Sequence, residues 1–299
     1  MPMTARFDAK TLLPPCASGH RFDAGRRWVA SLELGFDRRQ GATRLVRARH
    51  QGPLRVQRPF YPEGHEGSCH VYLLHPPGGL VSGDVLHVSV QVESGARALV
   101  TTPAANKLYR ADSHGVAWSQ RTELQVASGG VLEWLPQETI AFDGSCGEQH
   151  TAIELADDAR CLGWEVLALG RPASRLPYVS GCIEQRFRLY RDGKPLWLER
   201  QPLDPAHPRF KGHWGQGGAS VQATLWAAGL DDEALAVEAL RDAITPNPRW
   251  AVTVRHGVLL LRYLGHERNE AWELCQQAWA CLRPLMIDSP PHPPRIWFT

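Results

Sequence analysis

The 299-residue chain has little of what marks several common classes of protein. Its seven cysteines (16, 69, 146, 161, 182, 275 and 281) are odd in number and form no C-x-x-C pair. That removes the zinc-knuckle and thioredoxin-type motifs, and the set reads as free thiols in a reducing compartment. No stretch approaches the roughly 18 apolar residues of a membrane span; Arg262 cuts the best candidate, Val258 to Leu261. Met1 to Pro15 lacks an apolar h-region, its longest run being Leu12-Leu13, so a soluble cytoplasmic protein is expected. A charge excess is missing too. Lys plus Arg number 33 against 31 Asp plus Glu, a formal charge of +2, which gives no reason to expect nucleic acid or an anionic membrane as partner.

Signatures of catalysis are equally scarce. Gly78-Gly79-x-x-x-Gly83 has a phosphate-loop look, but no Lys-Ser or Lys-Thr follows and the next segment reads as strand. There is no G-x-S-x-G, H-E-x-x-H or G-x-G-x-x-G ahead of a helix. Glu133 and Glu138 lie five apart across Pro136, a spacing that does not define a general acid-base pair. His65, His70 and His75 sit beside Glu63, Glu66 and Cys69, donors that suit nickel, copper or zinc. Their spacing matches no closed site, and they read as ordinary loop and strand residues. A non-enzyme with no tightly bound cofactor or metal is the expectation.

What is present is turn chemistry and alternation: 27 Gly, 23 Pro and 11 Trp. Trp28 to Phe36 places Ala30, Leu32, Leu34 and Phe36 on one face, and Val85 to Val92 does the same with Val88, Val90 and Val92. Glu93 to Ala96 reads as a hairpin turn returning through Arg97 to Thr102, and Ser128-Gly129-Gly130 as a second hairpin between Gln120–Ala127 and Val131–Trp134. Arg191-Asp192-Gly193-Lys194 is a stronger hairpin signal. Cys161 to Gly170 is an apolar run whose only charge is Glu165. The basic residues crowding 38 to 58 read as a solvated sheet face.

The last quarter turns helical. Asp231-Asp232-Glu233 opens one helix, with Leu235, Val237, Leu240 and Ile244 at helical spacing before Pro246. A second is expected from about Asn269, with Trp272, Cys275, Trp279 and Leu282 on a core stripe and Pro284 ending it. Val252 to Leu264 reads as a mixture of strand and helix, and 290–299 as extended. The expected organisation is one domain over 1–299: a weakly ordered arm at 1–25, a β-rich body at 26–228, and helices with a Pro-rich end at 229–299.

Three segments stand out at strand ends: His75-Pro76-Pro77-Gly78-Gly79-x-x-x-Gly83-Asp84; Thr101-Thr102-x-Ala-x-x-Lys107-x-Tyr109-Arg110; and Leu132-Glu133-Trp134-Leu135-Pro136-Gln137-Glu138-Thr139. In order and spacing they resemble the UreD family of urease accessory proteins, called UreH in some bacteria. The likeness continues through Leu169-Gly170-Arg171-Pro172-Ala173-Ser174, the Arg191 to Glu199 hairpin and the Pro-Pro-Arg-Ile-Trp ending at 293 to 297. Ser82 stands where the family usually has Gly, and Asn106 where Thr is common.

The resemblance implies a mainly β fold, many short strands in a right-handed helical, layered arrangement with a small C-terminal helical portion of about two helices. It implies a scaffold that binds apo-urease and recruits UreF and, through it, the GTPase UreG for nickel delivery, with Ni²⁺ only in transit through a polar interior passage. Asp84, Glu133, Glu138, Asp143 and Glu165 are the candidate passage carboxylates. Their ordinary structural use would be a turn cap for Asp84, pairing of Glu133 and Glu138 with Lys107 or Arg110, and pairing of Glu165 with Arg171. Trp214, Trp226, Trp272, Trp279 and Trp297 are candidate anchors for partners or core. The rival readings are a β-rich ligand- or carbohydrate-binding module, which requires a saturable small ligand, and a metal-dependent hydrolase, which requires turnover by the isolated chain.

Overall fold

The structure, a computed structural model, describes residues 27–171 and 174–298; the expected arm at 1–25 lies outside them, as do Pro172 and Ala173. Strands take 49% and helices 15%, in mixed curled sheets with a small helical part, the mainly β class expected.

The body is a coil that alternates between two sheets. The chain runs along one sheet in 69–74, crosses to the other in 84–92, and repeats this through 97–101 and 118–126, 131–135 and 146–155, and 160–171 and 182–191. Equivalent strands of successive passes stack in parallel register. Short strands at 79–80, 106–108 and 139–141 stack likewise at the corners. On the sheet of 84–92, the first sheet, 28–39 adds in parallel and 42–51 and 194–203 close the ends antiparallel; on the sheet of 69–74, the second, 221–228, 258–265 and 250–255 add antiparallel.

The turns at 93–96 and 128–130 are therefore not hairpins. Each is an arch carrying the chain from one sheet to the other, and each stacks on the next: Ala127 N donates to Val92 O, and Val131 N to Ala96 O, both at 2.9 Å. Ser94 Oγ donates to Ser128 O at 2.7 Å. Arch and hairpin use the same Gly-rich residues, so the turn alone does not separate them. The strands do: Val131 to Leu135 is buried at every position, which is the mark of a parallel strand covered on both faces. True hairpins occur where two successive turn residues take positive φ, at Gln40-Gly41, Asp192-Gly193 and His256-Gly257, the type I′ pattern that matches strand twist. The Asp192-Gly193 expectation holds. The last of these makes Val252 to Leu264 strand throughout, flanked as Trp250–Arg255 and Val258–Gly265.

Alternation on the second sheet splits the core in two. Cys161, Leu167 and Leu169 face the first sheet, while Leu162, Trp164 and Val166 face the helices. Asp232 caps Glu233–Ala243, its Oδ1 accepting from Leu235 N at 2.9 Å. The long helix Arg268–Ile287 runs three residues past Pro284 and stops at Asp288 in the left-handed region, where Asp288 N reaches Pro284 O at 3.1 Å. Proline here removes one bond to the carbonyl four residues back and crowds it, yet the helix continues, with Met286 and Ile287 beyond it buried against the core. The tail expected to be extended closes with a 3-10 turn, Arg295–Phe298.

Candidate functional site

A polar belt lies between the two sheets. On the first sheet, Gln120, Gln149, Gln185 and Gln201 occupy one register row across four adjacent strands. Facing them on the second sheet, Glu165, Thr224 and Arg262 form a row of their own. The amides bond to one another: Gln185 Nε2 donates to Gln149 Oε1 at 3.0 Å, Gln222 Nε2 to Gln185 Oε1 at 2.6 Å, and Gln201 Nε2 to Gln222 Oε1 at 2.9 Å. Asn106 Nδ2 donates to Gln120 Oε1 at 2.9 Å. Buried amides cost stability unless bonded in this way.

Three cavities adjoin along the belt. The first, about 120 Å³, runs from His75 and Asn106 to Glu165 and Gln185. The second, about 30 Å³, shares Glu165 and Gln185 with it and continues to Glu199, Gln201, Gln222 and Thr224. The third, about 450 Å³, shares those last four and opens between Arg200, Arg209 and Trp214. Glu165 thus sits where the inner cavities meet. Burial pushes its carboxyl up to about 7, with Glu199 adding repulsion against the Thr151 hydroxyl that donates to it. Glu199 is held the other way: burial opposes its charge, but Arg262 and the Trp197 indole at 3.1 Å keep it below the usual range. The arrangement provides two oxygen-donor carboxylates of different proton affinity on one polar path.

The other four candidate carboxylates are engaged elsewhere and do not line these three cavities. Asp84 caps its turn, accepting from Val81 N at 2.9 Å, and burial raises its pKa. Asp143 Oδ1 accepts from Val179 N at 3.0 Å and Ser180 N at 2.7 Å, while Arg110 holds Oδ2. Glu138 meets Arg268 of the long helix at 2.7 Å, not Lys107 or Arg110. Glu133 faces that helix too, its Oε1 accepting from Arg283 Nε at 2.9 Å and Trp279 Nε1 at 2.7 Å. Arg283 Nη2 reaches on to Glu63 at 2.6 Å, and Glu63 to His70 at 2.7 Å. Burial works against the Glu63 charge, but His70 and Arg283 hold its carboxyl well below the usual range. The Glu165 pairing with Arg171 is also absent: Arg171 stacks over the Phe142 ring at 4.3 Å.

The three motif segments meet at the coil's corners. Gly79 packs so close to the 106–108 strand that an added Cβ would lie 2.3 Å from Lys107 O. Thr101 Oγ1 donates to Leu135 O at 2.6 Å and accepts from Trp297 Nε1 at 2.9 Å; Thr102 Oγ1 accepts from Gln137 N at 2.9 Å. Trp164 Nε1 donates to Pro136 O at 2.8 Å, and Tyr109 sets its ring edge-on to Phe142. Trp297 completes an aromatic cluster with Trp164, Trp272 and Trp279. Trp226, Trp272 and Trp279 are core; Trp214 is 98% exposed. Among the described residues no group of three or more His, Cys, Asp or Glu is disposed to hold a metal, and the described cysteines are free thiols.

Sequence reasoning missed Glu199, Arg262 and the glutamine row. The signal was an internal repeat: Gln120-Arg121-Thr122, Gln149-His150-Thr151 and Gln185-Arg186-Phe187 each place Gln at an inward position, followed by Arg or His and then by a buried residue.

The fold is thus a stacked parallel coil, helix-covered on one side and polar between its sheets. Comparison of the sequence places it more narrowly. The family described as UreD urease accessory protein matches residues 29–298. The urease accessory protein UreD of Marinobacter nauticus is 69% identical over 95% of this chain and 97% of its own length. That of Chromohalobacter salexigens is 64% identical over 96% and 94%, and that of Pseudoalteromonas translucida 61% over 100% and 98%. The chain belongs to the UreD urease accessory protein family. Its role is in urease maturation, and among the described residues no helix is long and apolar enough to cross a membrane.

Proposed function

We propose that the protein is a scaffold for nickel delivery: it binds apo-urease, recruits UreF and, through it, UreG, and passes Ni²⁺ along the belt between its sheets. The observation that carries this reading is the run of three adjoining cavities with Glu165 at the inner junction and Glu199 between the second and third. Isolated carboxylates and amide oxygens are weak, exchangeable ligands for nickel, whereas a closed imidazole or thiolate set would retain it. Glu165, balanced near neutral pH, accepts a cation on losing its proton and releases it on regaining one. Asp84, Glu133, Glu138 and Asp143 serve the passage by fixing its walls and the covering helix.

The test has two stages. Tagged protein from cells co-expressing apo-urease subunits and UreF should recover both in stoichiometric amounts, and recovery of neither by folded protein removes the scaffold role. Glu165→Gln and Glu199→Gln should then lower the nickel content of urease in complexes that still form. Unchanged nickel loading in those complexes removes the passage.

A further inference from the structure

The residue following each belt glutamine, or preceding it on the antiparallel last strand, points the opposite way. The register consequently aligns His87, Arg121, His150, Arg186 and Arg200 in one row across five adjacent strands on the outer face of the first sheet. Arg186 and Arg200 are the adjacent like charges in this row, an unfavourable pairing, and carboxylates on the same face relieve it in part. Glu123 meets His87 at 3.2 Å, and Glu184 is shared between Arg186 and Arg200. Arg121 and Arg188 have no hydrogen bond or ion pair among the described residues. The Nε2 of His150, lying between them, is buried without a partner. Burial first, then Arg121, Arg188 and Arg186, push the His150 pKa down to about 4, so the imidazole stays neutral beside two guanidinium groups, Arg121 and Arg188, that have no carboxylate partner of their own. Beside His150 in the next row is Ala152, which leaves room above the sheet between Glu123 and Arg188.

We propose that this row, with Arg188 beside it in the next, is a docking surface for an extended acidic segment of a protein partner, whose carboxylates pair with Arg121, Arg186 and Arg188 around His150. Five strands at about 4.8 Å spacing make a row of about 19 Å, the length of roughly six extended residues. Charge pattern selects the occupant. Carboxylates flank the row on both sides, Glu123 on one and Glu148 with Glu184 on the other. A phosphate backbone wider than the row would meet them, while a single acidic strand fits between. The chain's own residues 1–26 are not complementary, carrying Arg6, Lys10, Arg21 and Arg26 against Asp8 and Asp23. The inference is independent of the nickel passage, which lies on the opposite side of the same strands.

A fluorescent hexaglutamate peptide titrated into the full chain tests it by anisotropy, with a labelled hexathymidylate and inorganic phosphate as competing probes. The peptide should bind with salt-sensitive affinity. Arg121→Gln combined with Arg188→Gln should weaken it at least ~10-fold, as should Ala152→Glu, which supplies a carboxylate from within, while Arg241→Gln on the distant helix leaves it unchanged. In the arginine double variant the His150 ring proton resonance should titrate at higher pH than in the parent, a readout that peptide binding does not share. Binding unchanged in the double variant and in Ala152→Glu, binding insensitive to salt, or the oligonucleotide or phosphate binding as tightly as the peptide would overturn the proposal.

Discussion

Arg283→Met is the substitution for which the structure makes its sharpest demand. The Arg283 side chain is 1% exposed and its partners Glu133 and Glu63 are 2% and 3% exposed. One guanidinium therefore compensates two buried carboxylates, Glu133 from the 131–135 strand and Glu63 from the loop before the first pass, at 2.9 and 2.6 Å. Methionine keeps the stem's packing but leaves both acids without their cation. Removing one partner of a buried pair costs about 3–5 kcal/mol, against a total of about 5–15 kcal/mol for a typical protein. With a urea slope of about 3 kcal/mol/M or more for a chain of this size, the midpoint should drop by about 1 to 1.5 M. Glu63, which His70 and Arg283 hold below the usual range against burial, loses one of those two partners, so the loss should be greatest at pH 8 and shrink as pH is lowered toward 5. Adding Glu133→Gln removes one stranded charge, and the double variant should be less destabilised than the sum of the singles by more than about 1 kcal/mol. Urea unfolding followed by tryptophan fluorescence at pH 5 and 8 reads all of this. A loss below about 1 kcal/mol for Arg283→Met at pH 8, or strict additivity in the cycle, would refute the assignment of this network as what clamps the long helix to the coil.

Other substitutions probe the belt, the corners and the caps. Glu165 in the folded chain, pushed up to about 7 from an ordinary 4.5, still holds a proton that the unfolded chain has released. Its contribution to stability is therefore lost as pH rises from about 4.5 through 7. Glu165→Gln should leave stability at pH 5 nearly unchanged and raise it at pH 8, by up to the order of 3 kcal/mol, measured as the difference between variant and parent in parallel urea titrations. Gly79→Ala should force the 79–80 and 106–108 strands apart, because its Cβ would stand 2.3 Å from Lys107 O; a loss of more than about 2 kcal/mol in thermal unfolding is expected. Asp232→Ala removes a side-chain cap and should cost about 1 kcal/mol, seen as a lower Tm.

Individual strands were legible in the sequence because each has a period of two that needs no partner to read. Ala30, Leu32, Leu34 and Phe36 are all buried, as are Val88, Val90 and Val92. Which strand pairs with which was harder. The arches at 93–96 and 128–130 have hairpin composition, and only the strands after them, buried from Ala98 to Thr101 and from Val131 to Leu135, indicate that the chain has changed sheets. At the site, Glu165 was found because an acid in an apolar strand is conspicuous in isolation. The partners of Glu133 and Glu138 were assigned to nearby Lys107 and Arg110, whereas the actual cations lie 150 and 130 residues away on the long helix. A carboxylate's local sequence says that it needs a cation; only the packing of the helix on the sheet says which one.

The Gln-cation repeat shows how closely the two faces of the first sheet constrain each other. Because side chains alternate strictly, the residues that put amides into the belt also fix an arginine or a histidine on the surface one step along. A slip of one residue in the pairing of 146–155 would bring His150 into the belt row and turn Gln149 outward, breaking the bonds to Gln185 and burying ring nitrogens between amides already satisfied. The passes through 118–126, 146–155 and 182–191 are thereby held in register by polar groups rather than by apolar volume alone, since Val and Leu tolerate a shift along the strand better than a hydrogen-bonded row does; the 84–92 strand has Leu86 in that row. That specificity comes at a cost in stability, because an apolar belt would pack as well without the desolvation of amides and Glu165. A polar interior retained against that cost is what a protein needs if water or ions must enter between its sheets, and the charged outer row is then the surface that the same register makes available to a partner.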